Sequence, residues 1–173
     1  MDKEHRLVLN AGKFVLVLLL VFVVFGILVF LVSAAPFKAL TAFASGAVLQ
    51  VIGIPNAVEG GEDAYIVLEN QEKTIIVINE LCTGVLETMI LVAAIVATLE
   101  IHWKKRAIGA VAAVIGIFVF NQIRIVSTVF FILNAPIDWV VLSHDVLFRI
   151  FLFVTIAVFY WLFLKMGKKM LNA

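Results

Sequence analysis

The sequence predicts an all-α integral membrane protein, a bundle of about four transmembrane helices that carries a small extracytoplasmic β-hairpin. The 173-residue chain is 64% hydrophobic and only 14% charged, and its mean hydropathy is +1.17. Four apolar runs come close to or exceed the about 20 helical residues that cross a bilayer, and basic residues cluster beside their ends. A soluble domain of this length could not bury so much apolar surface, so we expect lipid to be the solvent.

Residues 14–33 form the first apolar run, after a start that carries Lys3, Arg6 and Lys13. This start is also typical of a secretory signal peptide, and residues 33–35 are small enough for a peptidase to cut there. Signal peptides usually have an apolar stretch of about 7 to 15 residues, which is shorter than this run. We therefore interpret residues 14–33 as an uncleaved membrane anchor.

Residues 34–81 differ in composition from the apolar runs, and we expect them to be extracytoplasmic. Their first part, residues 35–54, is moderately apolar and indicates a short interfacial or re-entrant helix rather than a span. Turn-forming residues follow at 56–63, and two β-branched segments come next, YIVL at 65–68 and TIIVI at 74–78. This pattern predicts a β-hairpin on the outer surface.

Three further apolar runs predict membrane helices at residues 83–101, 107–133 and 144–164. Most basic residues fall into three clusters at helix ends: Lys3, Arg6 and Lys13; Lys104, Lys105 and Arg106; Lys165, Lys168 and Lys169. With four spans, all three clusters lie on the side that basic residues mark as cytoplasmic, whereas three or five spans would place at least one cluster outside. The chain thus predicts a single multi-pass domain with both termini cytoplasmic.

Cys82 is the only cysteine, and this topology places it at the outer end of the second membrane helix. The unpaired amides of a helix start carry partial positive charge, which favours a thiolate over a thiol. Cys82 is therefore a candidate nucleophile. The alternative is a small buried hydrophobic side chain, which is the commoner role of a free cysteine.

Arg124 falls within the third predicted helix, in the outer half of the bilayer, where a guanidinium is costly to bury. Asn121 lies three positions before it, and Ser127 and Thr128 lie three and four positions after it, so a polar stripe runs along one helix face. This stripe predicts that Arg124 faces the bundle interior. The alternative is an arginine whose side chain reaches out to the lipid headgroups.

His144 and Asp145 begin the fourth predicted helix at the same outer level. A lone histidine at an interface is more often a surface residue than a catalyst. Arg149 follows Asp145 by four positions and could pair with it. Glu87 lies five positions after Cys82, about 140° around a continuous helix, so we do not expect it to share the face of the thiol.

The alternating topology allows Cys82, Arg124 and His144 to meet in one outer pocket. A thiol, an imidazole and a fixed cation suit acyl transfer through a thioester, because the imidazole can move the thiol proton and the cation can stabilise an oxyanion. We expect no metal or organic cofactor, since His5 and His102 fall on the cytoplasmic side, away from His144. A net charge of +1 offers no basic surface for nucleic acid.

These motifs resemble those of the exosortase/archaeosortase family, membrane-embedded, sortase-like cysteine transpeptidases, in a compact archaeosortase-like version. The resemblance covers about residues 79–163 and rests on Cys82-Thr83-Gly84, Asn121-Gln-Ile-Arg124 and His144-Asp145. It implies that Cys82 is the nucleophile, Arg124 the essential cation and His144 the third catalytic member, with supporting places for Asn121, Thr83, Gly84 and Asp145. In some relatives an arginine takes the third place, which makes Arg149 a rival to His144.

The resemblance also implies what such an enzyme would act on. Its substrates would be secreted proteins of a prokaryotic, archaeal cell whose C-terminal tails contain a short motif, an apolar helix and basic residues. The acceptor would be a membrane lipid, or water if the enzyme is a protease. An alternative of a different class is a non-catalytic assembly or transport subunit in which Arg124 is a structural or anion-binding clamp.

Overall fold

The computed structural model describes residues 3–61, 63–69, 74–134 and 148–169. Its helices are α1 (Lys3–Val32), α2 (Ala35–Val51), α3 (Val85–Ala97), α4 (Trp103–Asn134) and α5 (Phe148–Lys169). An antiparallel sheet with the order β1-β2-β3 contains β1 (Asn56–Glu59), β2 (Ala64–Leu68) and β3 (Ile75–Ile78). A 3₁₀ turn, Glu80–Cys82, connects β3 to α3.

Within the described ranges, three helical segments are long and apolar enough to cross a bilayer: Leu9–Val32 of α1, Trp103–Asn134 of α4 and Ile150–Gly167 of α5. The apolar helix α3 has only 13 residues, or about 20 Å at 1.5 Å per residue, against a hydrocarbon core of about 30 Å. The helical membrane architecture with a small sheet is therefore confirmed. The predicted count of four spans is not.

Helix α3 is shorter than the span predicted at 83–101 because the chain leaves helical geometry at Thr98, where ψ is 73°. Two side chains satisfy carbonyls that the helix end leaves unpaired. Thr98 Oγ1 donates to the carbonyl of Ala94 at 2.8 Å, and Arg106 Nη1, from the start of α4, donates to the carbonyl of Val96 at 2.7 Å. Polar capping ends this helix although apolar residues continue beyond it.

The sheet contains a hairpin of β2 and β3 close to the predicted segments, and it adds the strand β1. We expected residues 56–63 to form a turn, but their first half pairs with β2, from Asn56 opposite Leu68 to Glu59 opposite Tyr65. The turn is confined to the few residues after Glu59. Strand formation here depends on pairing with a distant segment, which local turn propensity does not reveal.

Helix α2 occupies the segment for which an interfacial or re-entrant helix was predicted. One face of α2 is buried against the sheet and α4, and Gly46 allows Val58 of β1 to approach the helix backbone closely. The core beneath the sheet includes Leu49 of α2, Ile66 and Ile78 of the sheet, and Val129 of α4. Burying these side chains fixes the end of β3, and with it the start of the 3₁₀ turn, against α4.

A second core lies between α3, α4 and α5. Leu91 and Ile95 of α3 pack with Ile117 of α4 and the rings of Phe159 and Phe163 of α5. Helix α1 packs against α3 and leaves most of its apolar side chains exposed, as expected for a surface in contact with lipid.

Candidate active site

Cys82 lies at the end of the 3₁₀ turn rather than inside a membrane helix. Asn79 caps this turn: its Oδ1 accepts a hydrogen bond from the backbone N–H of Cys82 at 3.1 Å. Gly84 then adopts a left-handed φ of 73°, and α3 begins at Val85. We call residues 79–84 the cysteine turn. Its cysteine is partly buried and packs against the core beneath the sheet.

Two polar residues of α4 bind consecutive carbonyls of the cysteine turn. Asn121 is fully buried, and its Nδ2 donates to the carbonyl of Cys82 at 2.7 Å. Arg124, three positions further along α4, donates from Nη2 to the carbonyl of Leu81 at 3.2 Å. Residues three apart share a helix face, so one face of α4 fixes the backbone on both sides of the cysteine amide.

The remaining residues of the Cys-Thr-Gly motif also have structural roles. Thr83 Oγ1 donates to the carbonyl of Glu80 at 2.7 Å and accepts from the N–H of Val85 at 3.3 Å. A Cβ atom on Gly84 would lie 3.2 Å from Cγ of Asn121. Gly84 is therefore required both by its positive φ and by the close approach of Asn121.

The guanidinium of Arg124 has N–H groups that its hydrogen bond to Leu81 does not use. A guanidinium carries five N–H donors. Among the residues that the structure describes, the carbonyl of Leu81 is the hydrogen-bond acceptor for this side chain, and no carboxylate forms an ion pair with it. Since Arg124 is partly exposed, its other N–H groups can bind a negatively charged atom beside the cysteine turn.

The sequence of the chain was compared with models of known protein families. A family model described as transmembrane exosortase matches residues 6–162. The chain belongs to the transmembrane exosortase family. No curated protein and no solved structure matches it. The match agrees with the resemblance seen in the motifs and extends it over α1 and α2, and membership supports a membrane-embedded, sortase-like protein.

The catalytic roles of Cys82, Arg124 and His144 all stay predictions, and the structure does not describe the third of these residues. His144 and Asp145 lie in the segment 135–147, outside the described residues. The backbone of Arg149 belongs to α5, but its side chain also lies outside the description. Helix α5 packs against both α3 and α4.

A break in helical geometry separates Glu87 from Cys82. The angular argument that separated it from Cys82 assumed one continuous helix, whereas the left-handed Gly84 interrupts the chain between them. Glu87 lies in the first turn of α3, and its Oε2 is buried without a hydrogen-bond partner in the described part of the exosortase. An acidic residue in an apolar segment was the sequence signal for this buried carboxylate.

An apolar cavity of about 490 Å³ adjoins the cysteine turn. Thr83 and Val85 form one wall, Thr41 of α2 and Phe118 of α4 form others, and Phe25 of α1 completes it. The hydroxyl of Thr83 is already bonded to a backbone carbonyl, so this wall offers little polarity. The exosortase therefore has a hydrophobic space that is lined by Thr83, the residue after its single cysteine.

Proposed function

We propose that this exosortase is a membrane cysteine transpeptidase or protease. It cleaves the C-terminal sorting signal of secreted surface proteins through a thioester on Cys82 and transfers them to an acceptor, a membrane lipid. The observation that carries the proposal is that Asn121 and Arg124, on one face of α4, bind the two carbonyls that flank the amide of the only cysteine. This arrangement holds a thiol and a guanidinium on one rigid scaffold, as acyl transfer requires.

The proposed acyl transfer begins with a proton transfer from Cys82. The thiol of Cys82 gives its proton to His144, and the sulfur forms a bond to the carbonyl carbon of the substrate. Arg124 donates hydrogen bonds to the negative charge, first on the sulfur and then on the carbonyl oxygen. The C–N bond breaks, the leaving amine takes the proton from His144, and the acyl group stays on Cys82 as a thioester.

A nucleophile then resolves the thioester. An amine or hydroxyl of a lipid headgroup attacks the thioester carbon, loses its proton and releases the Cys82 thiol, which gives a lipid-anchored protein. Attack by water would give a free acid instead. The mass of the processed product distinguishes these two acceptors.

The experiment that tests the proposal uses a co-expressed secreted protein whose C-terminal tail has an apolar helix followed by basic residues. Cys82→Ser and Arg124→Ala should each abolish removal of the tail on an immunoblot while leaving normal amounts of exosortase in the membrane. Ser127→Ala, on the same helix, provides a matched control that should process normally. Full processing by Cys82→Ala would exclude the transpeptidase.

A specific observation also fits the non-catalytic alternative. The hydrogen bond from Arg124 to the carbonyl of Leu81 is what a purely structural clamp would make. In an assembly or transport subunit, Cys82→Ser would have almost no effect in cells, because the two side chains are close in size. Arg124→Ala would lower the amount of folded protein instead of stopping a reaction.

A further inference from the structure

One edge of the small sheet is formed by β3. The strand order is β1-β2-β3, so β2 is central and β3 pairs with β2 on one side only. Within the described ranges, no strand pairs with the opposite edge of β3. An edge of this kind presents backbone N–H and C=O groups that can pair with another extended chain.

The register of the sheet identifies the residues that present these groups. The N–H of Leu68 donates to the carbonyl of Thr74 at 2.9 Å, and Ile66 lies opposite Ile76. Antiparallel pairs alternate between hydrogen-bonded and non-hydrogen-bonded positions. Thr74 and Ile76 therefore direct their backbone groups toward β2, whereas Ile75 and Val77 direct theirs toward the opposite edge.

The side chains of the same two residues are exposed. Ile75 is 59% exposed and Val77 is 53% exposed, while Ile78 of the same strand is buried in the core. An exposed apolar edge strand is a liability in a folded protein unless a partner covers it. The edge is thus suited to an extended peptide with apolar residues at alternate positions.

The position of β3 along the chain links this edge to the cysteine. Only residues 79–81 separate the end of β3 from Cys82, and α4 holds the 3₁₀ turn through Asn121 and Arg124. A peptide that pairs with β3 in the same direction runs toward the cysteine turn, whereas β1 lies on the far side of β2.

We propose that the substrate binds by strand addition. The extended segment just before the cleaved bond pairs with β3 at Ile75 and Val77, forming a fourth strand of the sheet. Main-chain hydrogen bonds would supply affinity, and the two apolar side chains would favour apolar residues at alternate positions of the segment. This inference rests on the proposed function, and it names the site where the sorting signal is held.

The proposed function also fixes the direction of the added strand. The chain runs from β3 through Cys82 into the apolar helix α3, and a sorting signal runs from the secreted domain into its apolar tail. The substrate strand is therefore parallel to β3. Val77 and Ile75 precede Cys82 by five and seven positions, and a strand rises about 3.3 Å per residue, so the paired residues lie roughly five to seven residues before the cleaved bond.

Disulfide cross-linking tests this arrangement without requiring catalysis. Cys82→Ala removes the only cysteine, and Ile75→Cys or Val77→Cys is then introduced in that background. The probe is the secreted protein used above, carrying single cysteines at successive positions before the cleavage site. Both variants should cross-link, and the preferred substrate position should move about two residues toward the cleavage site from Ile75→Cys to Val77→Cys.

The matched control is Ala57→Cys in β1, which is exposed but lies on the far strand. It should not cross-link. Equal cross-linking at Ala57, or a preferred position that moves away from the cleavage site between the two β3 variants, would overturn the proposal.

A second variant keeps Cys82 and changes only the edge. Val77→Pro removes an N–H that points away from β2, which an edge strand tolerates, and should lower processing roughly tenfold relative to Val77→Ala by removing a main-chain hydrogen bond. Wild-type processing by Val77→Pro, together with inactive Cys82 variants, would overturn strand addition and leave the enzyme assignment intact. Processing by Cys82→Ala would instead contradict the proposed function. The cross-links would still report whether the tail binds β3.

Discussion

At the scale of single residues, Gly84 connects the local backbone to the position of the cysteine. Its φ of 73° and the contact of its missing Cβ with Asn121 mean that a side chain is disfavoured twice. Gly53 has a φ of 84° with nothing within 4 Å of its Cβ position, so it isolates the backbone effect alone. The two glycines form a matched pair for mutagenesis.

We expect Gly84→Ala to displace Asn121 from the carbonyl of Cys82 and to lower processing at least tenfold, since a catalytic group misplaced by 1 Å can cost about a hundredfold. Gly53→Ala should cost only the left-handed backbone strain of about 1–2 kcal/mol, seen as a lower Tm in detergent with normal processing. Equal processing by the two alanine variants would contradict the role assigned to Gly84.

Some features of the candidate site could be predicted from single residues, and some could not. Cys82, Arg124 and Asn121 were identified from their residue types and spacing, because polar groups in an apolar span need a reason. That Asn121 binds the carbonyl of Cys82 could not be predicted, since it depends on the depth at which α4 packs against the turn. Glu87 was set aside because the sequence does not show that the chain is non-helical at Gly84.

At the scale of elements, the packing of α4 on α5 depends on two glycines of α4. A Cβ on Gly116 would collide with the ring of Phe159, and one on Gly109 would lie 2.6 Å from the ring of Phe163. Small residues at such positions let membrane helices approach closely. Gly12 of α1 has nothing within 4 Å of its Cβ position and serves as a control.

We expect Gly116→Val to destabilise the protein by about 1–3 kcal/mol through overpacking, measured as a lower midpoint of heat aggregation in detergent. Processing should also fall, because α5 is the helix that follows His144 and contains Arg149. Gly12→Val should change neither quantity. A normal midpoint for Gly116→Val would show that α4 and α5 do not pack as described.

Contacts between elements explain where the predicted helices and strands were wrong. Apolar runs indicated helices α1, α4 and α5, but they overestimated α3 because hydropathy does not register the capping of Val96 by Arg106. Strand β1 was missed since its residues look like turn formers until β2 is available to pair with them. In each case a contact between distant segments decided the local structure.

At the scale of the whole molecule, an ion pair joins the start of α2 to the loop between β1 and β2. Lys38 Nζ lies 3.1 Å from Oδ1 of Asp63, and the hydroxyl of Tyr65 donates to Oδ2 of Asp63 at 3.3 Å. The hydrogen bond from Lys38, its charge and the bond from Tyr65 lower the pKa of Asp63 below 3.8. The pair thus holds the sheet on the helix that supports it.

The lowered pKa of Asp63 determines whether this stabilisation is lost in acid or in base. The contribution of this pair is fully present above pH 3.8 and is lost as the pH falls through the lowered pKa of Asp63. At a pH above 3.8, the loop amides of the wild-type protein should therefore exchange more slowly than those of Asp63→Asn. In strong acid, the wild-type exchange should rise to the rate of the variant. Parallel pH profiles for the two proteins would show that the pair does not hold the loop.

Membrane orientation is a second property of the whole chain, and Cys82 can report it because it is the only thiol. A thiol reagent that cannot cross membranes should label Cys82 in intact cells, and Arg124→Ala should slow the labelling because it removes the cation that binds the cysteine turn. Labelling that requires broken cells would place the cysteine turn on the cytoplasmic side and contradict the predicted outer location of the candidate site.

Trapping the acyl-enzyme would show whether Cys82 forms a thioester with the substrate. Membranes that contain the exosortase and its tailed substrate should yield a covalent adduct on Cys82, detected by mass spectrometry and removed by hydroxylamine as a thioester would be. The account predicts this adduct in the wild-type protein and its absence in Arg124→Ala. Removal of the tail at the wild-type rate by a protein that never carries the adduct would contradict it.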